Sequence, residues 1–541
     1  MTNTEDISGT DVPHPADSDY EIGQDNITPF GLDVHNPVFL VSGLSVVAFV
    51  LITLMFQEAS TEFFGWLRPF LTSTFDWFFL SAANIFVLFC VMLMVTPMGK
   101  IRLGGNDAKP DYSYMGWFAM LFAAGMGIGL MFFGVSEPIS HLSSSMGGTV
   151  VENGVRTDWA PLGAAAGDPI AARNLGMAAT IFHWALHPWA IYAVVALSLA
   201  FFTYNRGLPL TLRSAFYPLL GERVWGWPGH VIDTLAVFAT LFGLATSLGF
   251  GTEQALAGLN FLFGWSTGPG AKVLLITVIT AMALISVVRG LDGGVKILSE
   301  VNIGLAALLL LFVIIVGPTA AIFDTIVSGG LAYVKEVIPL SMPFGREDAN
   351  FSQGWTSFYW AWWISWSPFV GMFIARVSRG RTVREFVFCV IVIPTLVSVV
   401  WMGVFGGTAI AQIAADAAAP VKTAALELKL FEMLKLLPFT TVTSLLGIVL
   451  VLVFFVTSSD SGSLVIDTIT AGGKTDAPVA QRIFWCSFEG IVAATLLLVG
   501  GSQALTALQA MAVSTGFPFT IVLLAMCVSL YMGLRQAMKE G

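Results

Sequence analysis

A chain of 541 residues in which 56% are Ala, Val, Ile, Leu, Met, Phe, Trp, Tyr or Cys and only 11% are charged, with a mean hydropathy of +0.80, is not an ordinary soluble protein, where about a quarter of residues carry charge. The net charge of −10 is concentrated at the start. The four cysteines, Cys90, Cys389, Cys486 and Cys527, fall inside apolar blocks without the spacing of a disulfide framework or a zinc site.

Residues 1–36 hold eight acidic residues and no Lys or Arg. They read as a disordered acidic tail and lack the basic start and short apolar core of a signal peptide, so the first helix is expected to be retained. Apolar blocks of about twenty residues, the length that crosses a bilayer, then recur. Twelve spans are predicted, near 38–56, 77–96, 114–134, 176–202, 231–249, 273–288, 301–317, 355–376, 386–408, 440–456, 483–500 and 511–533. The loops after the even-numbered spans, with the C-terminus, carry 16 of the 25 basic residues, which places both termini in the cytoplasm by the positive-inside rule.

Span 3 carries Gly125, Gly127 and Gly129 in alternation. Each weakens a helix by roughly 1 kcal/mol relative to alanine. Alone the run suits a close helix contact; together with a second interrupted span it suits a locally unwound backbone. Span 4 brings Trp184, Trp189 and Tyr192 together, with a bend expected at Pro188. His183 and His187 lie one turn apart, a spacing open to a metal or a proton relay; no carboxylate or cysteine accompanies them in the span, which favours a polar pair satisfying carbonyls at the bend. Residues 319–340 mix charged and apolar positions and are predicted to form an interfacial amphipathic helix.

Span 8 holds Trp355, Trp360, Trp362, Trp363 and Trp366 and is expected to be interrupted at Ser367-Pro368, since proline removes an amide donor. Paired interrupted helices in two halves point to a transporter's midplane site. Trp362 and Trp366 share a helix face beside Trp363, too deep for a headgroup belt, and aromatic faces so arranged attract a cation. A quaternary ammonium suits them best because it has no donors to satisfy. Span 10 ends in Thr457, Ser458, Ser459, Asp460 and Ser461, hydroxyls that either bond back to their own helix or offer hard oxygens to sodium.

The segments GMGIG of span 3, FHWALHPWAIY of span 4 and FYWAWWISWSPFVGMFIARVSRGRTVREF of span 8 resemble the betaine/choline/carnitine transporter (BCCT) family, over about residues 95–530. The resemblance implies an all-α integral membrane protein of about 12 transmembrane helices with a LeuT-like pair of inverted five-helix repeats. The expected division is a tail (1–36), two extra helices (37–112), the first repeat (113–318), a periplasmic amphipathic helix and loop (319–353), the second repeat (354–534) and a short C-terminus (535–541). It also implies alternating access in a bacterial-type inner membrane and assembly as a homotrimer among lipids.

By the same resemblance, Trp362, Trp363 and Trp366 form the substrate cage, with Trp184, Trp189, Tyr192 and the glycines 125, 127 and 129 contributing. A sodium site matches the carbonyls of Ala123, Met126 and Phe454 and the hydroxyls of Thr457 and Ser458. A second sodium position matches Thr240 and Phe369, but Leu244 stands where a second threonine is needed, although Thr246 is nearby. Proton-driven choline carriers tend to have Asp where this chain has Gly129, which favours a zwitterion.

The expected function is sodium-coupled uptake of glycine betaine or a similar osmolyte. The alternatives are a proton-coupled choline or carnitine carrier and a sodium-independent exchanger of the same family. Sodium is the coupling ion, no other cofactor and no nucleic acid are expected, and no constellation of nucleophile and base suggests an enzyme.

Overall fold

The computed structural model describes residues 18–540 apart from 126 and 290–295. Lipid offers no partners for backbone N–H and C=O groups, so each apolar block closes its hydrogen bonds within a helix. In chain order the long helices are α1 (Val38–Met55), α2 (Gln57–Val95), α3 (Tyr114–Gly125), α4 (Ile128–Gly147), α5 (Pro169–Trp184), α6 (Leu186–Tyr204), α7 (Trp227–Phe263) and α8 (Pro269–Arg289). They continue with α9 (Lys296–Val316), α10 (Thr319–Ser341), α11 (Ser357–Arg376), α12 (Val383–Ala415), α13 (Thr440–Thr470), α14 (Val479–Gly500) and α15 (Ala504–Glu540). Two antiparallel two-residue hairpins, β1 (Asn26–Ile27) with β2 (Val34–His35) and β3 (Val151–Glu152) with β4 (Val155–Arg156), lie in the connecting segments.

Among the described residues, nine stretches are long and apolar enough to cross a membrane. One of them, Val479–Glu540, contains both α14 and α15. The divided pass α3/α4 and the tryptophan-rich α11 fall outside that set and account for the rest of the twelve passes. The protein is thus an all-α, multi-pass membrane protein. Its helices interleave: α11 packs on α6, α7 and α15, while α12 packs on α4 and α13 on α7. The centre of the molecule is therefore built jointly by helices from both halves of the chain.

Two expectations are corrected. The acidic tail is not disordered along its whole length, because from Ser18 onward it is ordered. Asn26 Nδ2 donates to Asp33 Oδ1 at 2.8 Å and to the Ala471 carbonyl at 2.9 Å, Lys474 Nζ reaches Asp33 Oδ2 at 2.6 Å, and Tyr20 stacks on Trp225 at 4.0 Å. Net charge measured over 36 residues hides these local partners. Residues 1–17 lie outside the described residues.

The other correction concerns Pro368, where α11 is not interrupted. The amide that proline lacks would have bonded the Ile364 carbonyl, and the Ser367 hydroxyl donates to that carbonyl instead, at 2.7 Å. The irregularity in this pass lies earlier, in the wide π-type turn Ser352–Thr356.

The breaks elsewhere have clear causes. Between α3 and α4 the chain is extended at Gly127 (φ −171°, ψ −176°), the unwound one of the two readings of the glycine run. Between α5 and α6 it turns at Ala185 (φ −110°, ψ −118°), three residues before Pro188. The His183 carbonyl, released there from the helical ladder, accepts the Trp363 indole N–H at 2.8 Å.

Candidate functional site: an aromatic cage beside a second cavity

The breaks at Gly127 and Ala185 bring the start of α4 and the α5/α6 junction against the middle of α11. One cavity of about 40 Å³ lies between them, lined by Gly127, Gly129, Trp184, Trp189, Tyr192, Trp362, Trp363 and Trp366, with Ser247 and Ser398 as its hydroxyls. Trp362 and Trp363 stack at 4.8 Å and 17°. Trp184 stands edge-on to Trp363 at 4.9 Å and 77°, and Trp189 meets Tyr192 at 5.2 Å.

Four indole N–H groups are already committed. Trp184 donates to Glu137 Oε2 at 2.7 Å, Trp362 to Ser247 Oγ at 3.2 Å, Trp363 to the His183 carbonyl, and Trp366 to the Gly243 carbonyl at 2.9 Å. These bonds hold the ring edges and leave π faces as the chemistry on offer. Among the described residues, no acidic or basic side chain lines the cavity. The volume suits a few waters rather than a trimethylammonium group, so the rings must part to admit one.

The glycine at 129 is set by space. A Cβ built there would lie 2.7 Å from Trp184 Cη2 and 3.0 Å from Trp362 Cη2, closer than carbon atoms pack. Gly125 ends α3.

A second cavity, of about 440 Å³, adjoins the first and shares Ala124 and Trp366 with it. It brings Ala123, Phe454, Thr457 and Ser458 together, and continues past Phe369 to Tyr112, Asn302 and Arg376. The Thr457 hydroxyl bonds back to the carbonyls of Val453 and Phe454 at 3.0 and 3.2 Å. Met126, the remaining expected sodium ligand, lies outside the described residues. Thr240 lines neither cavity; its hydroxyl donates to the Ala236 carbonyl at 2.8 Å. Thr246 bonds the carbonyls of Phe242 and Leu508 at 2.8 and 2.9 Å.

The helical histidine pair separates. His187 Nε2 meets Asn84 Oδ1 at 3.0 Å, whereas His183 faces Glu137 and His141. These three residues have the composition of a metal site. However, His183 Nδ1 lies 2.6 Å from Glu137 Oε1, too close for two ligands of one tetrahedral ion at about 2.1 Å, which stand about 3.3 Å apart. The contact is a hydrogen bond. Reading the sequence for function missed Glu137; the available signal was a glutamate inside an apolar span.

The sequence profile described as BCCT, betaine/carnitine/choline family transporter, matches residues 37–539. The chain belongs to the BCCT family. It is 65% identical over 522 residues to a glycine betaine/proline/choline transporter of Vibrio parahaemolyticus, covering 96% of this chain and 94% of that protein. It is 57% identical over 525 residues to glycine betaine transporter 1 of the same organism, covering 96% and 97%. With a glycine betaine transporter of Acinetobacter baylyi it shares 43% over 517 residues, 94% of this chain and 75% of that one. This BCCT protein is accordingly a membrane transporter and not an enzyme.

Proposed function

We propose that this BCCT protein takes up glycine betaine, or a closely similar quaternary-ammonium or sulfonium osmolyte, by symport with sodium. The observation that carries the reading is the cage, where five tryptophans and a tyrosine line one cavity and four of the indole N–H groups are occupied elsewhere. A trimethylammonium group is attracted to such faces and asks for no acceptor. The substrate carboxylate is served by the N-terminal end of α4, where free backbone N–H groups favour negative charge, and by the Ser398 hydroxyl. The names of the similar Vibrio and Acinetobacter proteins agree with this substrate class.

Sodium coupling rests on oxygen chemistry. Phe454, Thr457 and Ser458 on α13 face Ala123 at the end of α3 across one cavity, and hydroxyls with carbonyls of an unwound helix form a hard donor set. The cavity runs from the cage toward Tyr112 and Arg376, on the side where basic residues concentrate. With that side cytoplasmic, the structure has the arrangement that releases substrate inward. Both termini then lie in the cytoplasm, and the assembly is a homotrimer in the inner membrane that serves osmoprotection.

Uptake of labelled betaine into proteoliposomes tests the coupling. Concentrative uptake is expected to collapse when potassium or N-methylglucamine replaces sodium at constant pH. Thr457→Ala combined with Ser458→Ala is expected to raise the half-saturating sodium concentration. Full uptake on a pH gradient without sodium rejects the assignment.

A further inference from the structure

Behind Trp184, outside the cage, Glu137 of α4 is completely buried and has four side-chain hydrogen-bond partners. His183 Nδ1 and His141 Nε2 reach Oε1 at 2.6 and 3.1 Å. Trp184 Nε1 and the Tyr359 hydroxyl reach Oε2 at 2.7 and 2.5 Å. Each carboxylate oxygen has two acceptor positions, so an ionised Glu137 is fully satisfied when each imidazole donates from the nitrogen that faces it.

The network closes with both histidines neutral. His183 then gives its Nδ1–H to Glu137 and pairs through Nε2 with Thr356 Oγ1 at 2.9 Å; His141 gives its Nε2–H, and its Nδ1 has no partner. In that arrangement the cluster carries one negative charge, held by hydrogen bonds. Burying a charge in this way is costly unless a counter-charge arrives. The Trp184 ring joins the cluster to the cage, because its N–H meets Glu137 while the ring lines the cavity. An indole that donates to an anion also becomes richer in π electrons on the face it turns to a cation.

We propose that Glu137 is an ionised positioning residue of the cage: it fixes the edge of Trp184 and supplies, from behind that ring, the negative field that selects an ammonium group. Position 129 has no room for such a charge, because its Cβ would strike Trp184 and Trp362. The inference rests on the cage reading and deepens it by assigning the charge selectivity to a residue that does not touch the substrate.

Glu137→Gln keeps the shape and removes the charge. The test compares betaine with 3,3-dimethylbutanoate, its carbon isostere without the ammonium, as competitors of labelled betaine binding to the purified protein. In Glu137→Gln the affinity for betaine is expected to fall at least tenfold, while that for the isostere stays level or rises. The half-saturating sodium concentration is expected to hold. A lesion that merely deforms the cage weakens both ligands alike, and that result overturns the charge assignment.

Trp362→Leu runs in parallel. If it abolishes binding while Glu137→Gln binds betaine as the wild type does, the proposal fails and the cage stands. If Trp362→Leu also binds normally, the cage itself is wrong. Where Glu137→Gln is not recovered from membranes, Trp184→Phe keeps a ring and deletes the N–H donor. It is expected to lose at least threefold on betaine and nothing on the isostere, and an equal loss on both rejects the proposal.

Discussion

Gly129→Ala is the smallest change that challenges the cage. Its methyl group would sit 2.7 Å from Trp184 Cη2, 3.0 Å from Trp362 Cη2 and 3.3 Å from Trp184 Cζ3. Carbon atoms pack at about 3.5–4.0 Å, so the rings must retreat by roughly 1 Å. Trp184 is held by Glu137 and Trp362 by Ser247, and neither ring withdraws without loosening a hydrogen bond. Overpacking of this kind costs about 1–3 kcal/mol. Because the strain falls on the two rings that face the ammonium, we expect betaine affinity to drop about 5- to 150-fold. Quenching of intrinsic tryptophan fluorescence by betaine in detergent reads the affinity, and a thermal melt reads folding separately. Gly304→Ala, exposed on α9 with nothing within 4 Å of its Cβ, is the control and should bind as the wild type does. Wild-type affinity in Gly129→Ala would refute the claim that space at this position is what the cage requires.

Trp366→Leu removes a ring that borders both cavities and is expected to weaken betaine binding at least tenfold, whereas Trp77→Leu, on a half-exposed part of α2, should leave it unchanged; equal affinities in a fluorescence titration would count against the cage. For orientation, a cysteine at Asn153 in the β3/β4 hairpin should react with an impermeant maleimide on intact cells and one at Arg379 should not. The four native cysteines are buried, so background is low, and the opposite labelling pattern would invert the proposed topology.

How much of this was readable in the sequence depended on how local each cause was. A helix has a fixed period, so Trp362 and Trp366 had to share a face, whereas the three alternating glycines alone suited a close helix contact and pointed to the break at Gly127 only in company with an interruption at Pro368 that does not occur. Pro368 failed as a predictor for an equally local reason: the neighbouring Ser367 hydroxyl takes over the carbonyl that proline abandons, and composition alone does not say which way a hydroxyl turns. The break in span 4 was expected at Pro188 and occurs at Ala185, because the carbonyl freed there is claimed by Trp363, about 180 residues later in the chain.

Glu137 shows why the remainder was illegible. In sequence it is a lone acid among apolar residues, and its four donors come from its own helix, from α5 and from α11. Only the packing of α4 between those helices turns an expensive buried charge into a satisfied one. The same packing also assigns the histidines: His183 was read as half of a pair with His187, yet the break at Ala185 lies between them, so that His187 meets Asn84 of α2 while His183 turns to the carboxylate. In this fold the aromatic rings are therefore specified locally, by position along one helix, and their charge environment is specified by tertiary contact. Substitutions that change ring shape should consequently act through affinity for any ligand of that size, and substitutions at Glu137 should act through the sign of the ligand's charge.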